Sequence, residues 1–77
     1  MTQREYTVIL EPEPDGRINV MVPALPEIAT FGESIESALA NAREAIELVI
    51  EDRNASGEEI PASDVSAVRI ERLAVSA

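Results

Sequence analysis

Between Pro23 and Pro61 the chain reads PALPEIATFGESIESALANAREAIELVIEDRNASGEEIP, and this run constrains the fold more than any other part of the sequence. Pro23 and Pro26 fix φ at two nearby positions and push Val22 and Leu25 towards extended backbone. A strand that precedes them must end in a stiff corner, with Leu25 plugging the edge of a core. Ser34 is a good N-cap, because its hydroxyl can accept an early helical N–H, and Glu33 and Glu36 sit where the helix dipole favours negative charge. A helix is therefore expected from Ile35. Apolar residues at Ile35, Ala38, Leu39, Ala42, Ile46, Val49 and Ile50 recur at the spacing of one helical face, and Ala38 and Ala42 are small enough for close approach to a sheet. Gly57 suits a left-handed stop before the Ile60-Pro61 exit, which gives a helix of roughly 20 residues, about 30 Å long.

The elements that this helix covers lie on either side of it in sequence. Glu5 to Glu11 is rich in β-branched and aromatic residues and alternates Tyr6, Val8 and Leu10 against Thr7 and Ile9, as a strand does. Pro12 to Gly16 breaks the ladder and ends in Asp15-Gly16, a turn that tolerates positive φ. Arg17 to Val22 then returns antiparallel, with Ile18, Val20 and Val22 on one face and Arg17, Asn19 and Met21 on the other. Glu27 to Phe31 reads as a short third strand from which Gly32 releases the chain into the helix. Val65 to Val75 is a fourth-strand candidate. Val68 and Ile70 share one of its faces, whereas Leu73 and Val75 fall with Arg69 and Glu71, so either a bulge intervenes or the end pairs with another chain. The order is βββαβ, an α+β domain with one helix on one face of a sheet.

Seventy-seven residues make a single domain whose core is marginal alone, so an oligomer or a partner is expected. The absence of Cys and His removes disulfides, thiolate metal sites and imidazole chemistry, and makes the cytoplasm the default location. The N-terminus is neither a signal peptide nor a membrane span. Fifteen Asp and Glu against six Arg give a formal charge of -9, which repels phosphate backbones and excludes direct nucleic-acid binding. The same charge serves solubility alone or attracts a basic protein partner. Carboxylates are the only abundant reactive groups. Glu11, Glu13 and Asp15 beside the hairpin match no defined cation loop, and Glu44, Glu47 and Glu51 mark a solvated helix face, so no catalytic, metal or cofactor site is assigned.

The ordered set Pro23, Leu25, Pro26, Gly32, Ser34, Ala38, Leu39, Asn41, Ala42, Ala45, Gly57, Ile60 and Pro61 resembles the HicB family of antitoxins. The resemblance runs from about Tyr6 to Pro61. It implies a partial RNase H-like fold, and a role in which an acidic antitoxin covers a small basic RNA-cleaving HicA-type toxin and masks its active surface without a reaction of its own. Many HicB-like proteins carry a further DNA-binding domain, and here a single HicB-like domain over residues 1–77 without one is expected. Glu27-Ile28 replaces the usual Gly-Cys-like pair. Ser37 stands where Glu is common, which is expected to remove the reciprocal half of a capping box.

The motif positions are structural, so contact residues are sought elsewhere. Leu48 lies roughly 140° from the middle of the apolar stripe and should be exposed, with Ala45 towards its side. One sheet face, carrying either Thr7, Ile9 and Met21 or Tyr6, Val8 and Leu10, must turn away from the helix, and its apolar side chains call for another layer such as a second subunit. The partner-binding candidates are Glu11, Glu13, Asp15, Met21, Glu44 and Leu48. A homodimer or higher oligomer with a scaffolding or small-molecule-binding role, and no toxin, is the alternative.

Overall fold

The computed structural model describes residues 4–61 and 71–76. Strands β1 (Ile9–Pro12), β2 (Ile18–Met21) and β3 (Thr30–Gly32) form an antiparallel sheet in the order β1-β2-β3, and helix α1 (Ile35–Ser56) packs across one face. The domain is α+β, as expected. The fourth-strand candidate lies mostly outside the described residues. Its described end, residues 71–76, takes no regular secondary structure.

The strand boundaries shift from those expected because each is set by its partner. Ile9 pairs with Met21, so the residues before Ile9 would have to pair with Val22 and beyond, where the chain is already turning. The Leu25 N–H donates to the Val22 carbonyl and the Ile28 N–H to the Leu25 carbonyl, which folds 22–28 into consecutive turns. Pairing of β1 therefore starts at Ile9 rather than Glu5, and β3 starts at Thr30 rather than Glu27. Pro12, expected to break the ladder, instead forms its last pair, opposite Ile18, and the hairpin turn begins after it.

The helix boundaries follow the local signals. Ser34 caps the N-terminus, accepting from the Ser37 N–H at 3.0 Å. Ser37 corrects one expectation: its hydroxyl accepts from the Ser34 N–H at 3.0 Å, so a serine completes the capping box that was expected to lack its second half. Gly57 adopts φ 73°, a left-handed conformation that an L side chain resists, and ends the helix. The guanidinium of Arg53, in the last turn, grips the Glu27 carboxylate through two N–H donors at 2.8 and 3.0 Å and also reaches the Glu59 carbonyl. Hydrogen bonding from its own backbone N–H, then from Arg53, holds the Glu27 carboxyl below its ordinary value.

The core is built from Ile18, Val20, Val22, Leu25, Ile28, Ala38 and Ala42, with Tyr6, Val8 and Leu10 packed against it. This resolves the two possible faces of β1: Tyr6, Val8 and Leu10 meet the helix, and Ile9 shares the open face with Met21. Gly32 sets how closely helix and sheet approach. A Cβ there would stand 2.3 Å from the Ala38 nitrogen, a distance that only glycine permits.

The buried seam of α1 is narrower than the apolar stripe. Ala38 and Ala42 are its centre, whereas Ile35 and Leu39 remain 51% and 46% exposed. At about 100° per residue, that centre lies roughly 40° from Ile35, displaced towards β3. Ala45, expected beside Leu48 on the outer side, consequently packs against the core.

Candidate functional site

The open face of the sheet is read directly from the register. Ile9 pairs with Met21, Glu11 with Asn19, and Asn19 with Phe31, so these side chains stand on the face away from the helix. Met21 is 51% exposed and Phe31 45%. The Arg17 guanidinium lies 4.8 Å from the centroid of the Phe31 ring. Phe31 also lines an open groove of about 580 Å³ between β3 and the helix, together with Gly32, Glu33, Asn41, Glu44 and Leu48. The Asn41 amide donates to the Phe31 carbonyl at 2.7 Å and holds this strand against the helix. One surface thus runs from Met21 over Phe31 to Leu48, which is 59% exposed.

Its charge is one-sided. Among the described residues Glu33 and Glu44 line the groove with no Arg beside them, and Glu11 stands at the far end of the open face. Among the described residues the cation on the open face is Arg17, which is paired with Asp15 at 3.1 Å. The combination of exposed apolar and aromatic side chains with an acidic surround suits a basic protein surface with apolar anchors.

The structure divides the sequence-derived candidates into two groups. Glu11 and Met21 on the open face and Glu44 and Leu48 in the groove belong to one surface. Glu13 and Asp15 serve the hairpin. The Glu13 carboxylate accepts from the Asn19 amide, and Asp15 accepts from the Arg17 N–H at 3.0 Å as well as pairing with its guanidinium. Phe31, Glu33 and Asn41 were not among the candidates. The signal for Phe31 is its place between Thr30 and Gly32: strand alternation sets it on the face opposite both. Among the described residues no three carboxylates converge as cation ligands, and no helix is long and apolar enough to cross a membrane.

A second open groove, of about 770 Å³, flanks the opposite side of the helix. Tyr6, Val8, Leu39, Ala42, Ile46 and Ile50 form its apolar lining, and Arg4, Arg43, Glu5 and Glu47 balance its charge.

Comparison with known proteins agrees with the sequence resemblance. The profile described as "HicB_like antitoxin of bacterial toxin-antitoxin system" matches residues 6–74. A UPF0150 protein of Thermoplasma acidophilum is 38% identical over 66 residues, covering 86% of this chain and 96% of its own. A UPF0150 protein of Synechocystis is 40% identical over 60 residues, covering 78% and 76%. A third, from Thermotoga maritima, is 39% identical over 56 residues, covering 71% of each chain. No solved structure matches significantly.

Proposed function

The chain belongs to the family of HicB-like antitoxins of bacterial toxin-antitoxin systems, and from that premise we propose that it neutralises a small basic RNA-cleaving toxin of the HicA type by covering its active surface. The observation that carries this reading is the Met21–Phe31–Leu48 surface with its acidic surround. The antitoxin needs no chemistry of its own. Its formal charge of -9 draws in a cationic partner and accelerates encounter, while burial of Phe31 and Leu48 slows release. Arg17 over the Phe31 ring is a guide to how a toxin guanidinium would sit on the same side chain. Cytoplasmic residence, where such a toxin meets its RNA, belongs to the same proposal.

The test is co-purification with the small basic protein encoded beside this gene, followed by light scattering and an RNA-cleavage assay at low and high salt. A mixed complex that suppresses cleavage, forms more slowly at high salt and is weakened by Phe31→Ala supports the reading. A chain that ignores the neighbour and leaves its RNA cleavage intact sinks it, and favours a stand-alone oligomer.

A further inference from the structure

We infer that this surface recognises its basic partner through an arginine, whose guanidinium takes the place on the Phe31 ring that Arg17 holds in the free chain. The inference deepens the antitoxin reading and rests on it. Arg17 is the internal stand-in. Its guanidinium lies 4.8 Å from the ring centroid, on the open face of the sheet. An aromatic face suits a planar, weakly hydrated guanidinium better than a compact ammonium, because the flat cation stacks on the ring and still donates from its edges.

The surroundings supply acceptors for those edges. Phe31 lines its groove together with the carboxylates of Glu33 and Glu44. Asn41 lines it too, and since its amide nitrogen donates to the Phe31 carbonyl, its oxygen is left as a further acceptor. A guanidinium carries five N–H donors in a fixed plane, whereas an ammonium offers three from a single point. A stacking face with several acceptors around it therefore separates arginine from lysine, which net charge alone does not.

Arg17 is held loosely enough to be exchanged. Its 3.1 Å pair with Asp15 joins side chains that are 49% and 57% exposed, and a pair so solvated contributes little to stability. Asp15 also accepts from the Arg17 backbone N–H at 3.0 Å, so the hairpin keeps this carboxylate beside Arg17 wherever the guanidinium points. Leaving the ring strands no charge. The exchange also acts as a filter: an incoming arginine restores the ring contact that it displaces, and a lysine restores less of it.

The test titrates the full chain with two capped peptides of equal charge, one of four arginines and one of four lysines, followed by nuclear magnetic resonance. The Arg17 side-chain protons are expected upfield in the free chain, shielded by the ring, and to return towards ordinary positions as the arginine peptide saturates it. That peptide is expected to bind about threefold more tightly than the lysine peptide, and Phe31→Leu to erase the preference with helical circular dichroism retained. Arg17→Lys, which keeps the formal charge at -9, is expected to raise affinity for the arginine peptide about twofold. Equal affinities, a preference that survives Phe31→Leu, or Arg17 protons still shielded at saturation overturn the inference. The same spectra with the small basic protein encoded beside this gene separate the two readings. Arginine preference without capture of that protein sinks the antitoxin reading and leaves the arginine site standing, whereas capture with Arg17 still on the ring sinks the arginine site alone.

Discussion

The two flanks of helix α1 are built in different ways. On the β3 side the helix is fixed by specific short-range devices: Gly32 admits the Ala38 backbone, Asn41 holds the Phe31 carbonyl, and Arg53 grips Glu27 at the far end. On the β1 side it faces Tyr6 and Val8 across an open groove whose lining also includes Arg4, Arg43, Glu5 and Glu47. The fixed flank carries one-sided negative charge and the open flank carries balanced charge. A rigid acidic surface and a charge-balanced one on the same helix suit different occupants, the first chosen by charge and shape.

The largest effect expected from breaking this contrast is at Gly32. Adding a methyl group as Gly32→Ala forces Cβ against the Ala38 backbone, and the cost should reach about 3 kcal/mol, measurable as a fall in the urea midpoint. The next largest effect separates the flanks by function. Phe31→Ala should weaken binding of the basic partner by about 2 kcal/mol, roughly 30-fold, whereas Leu39→Ala on the opposite flank should leave that affinity within twofold in calorimetric titration. Equal losses from both substitutions would erase the distinction. A smaller effect tests the fastening alone: Asn41→Ala leaves the Phe31 carbonyl without its donor and should cost about 1 kcal/mol of stability in chemical unfolding.

The smallest effect concerns Glu27. Its carboxyl is held below the ordinary value of 4.5, so the stabilisation is fully present above that pH and is lost as pH falls through the lowered folded value. Thermal unfolding of the unmodified chain and of Glu27→Gln should therefore differ slightly at neutral pH. The two curves should converge as acidification takes the solution through the lowered folded value.

The helix was legible in the sequence almost to the residue, because its signals are local: Ser34 and Gly57 mark its ends without reference to anything distant. The strands were legible in kind and order but not in extent. Their limits depend on where β2 turns at Val22 and Pro23, which decides what Ile9 and Thr30 can pair with. Serine at position 37 misled for the opposite reason, since an expectation based on side-chain length overlooked that a hydroxyl at this position also reaches the Ser34 N–H. Glu44 and Leu48 could be read as surface from periodicity alone, and Met21 as a member of one of two possible open faces. That they meet around Phe31 could not, because the meeting depends on the β2-β3 register and on the displacement of the buried seam towards β3.

The Tyr6–Pro61 hydrogen bond joins residues 55 apart in sequence, whereas the hairpin, the β2-β3 pairing, the helix cap and the Asn41 fastening all join near neighbours. Most of the native topology therefore has low contact order and can assemble quickly from adjacent pieces. The tyrosine latch requires the helix to be complete and the chain to have passed it, so it closes last. Its loss would free the chain that leaves the helix from the β1 flank while leaving the acidic flank assembled, and this domain can therefore loosen from one side without coming apart.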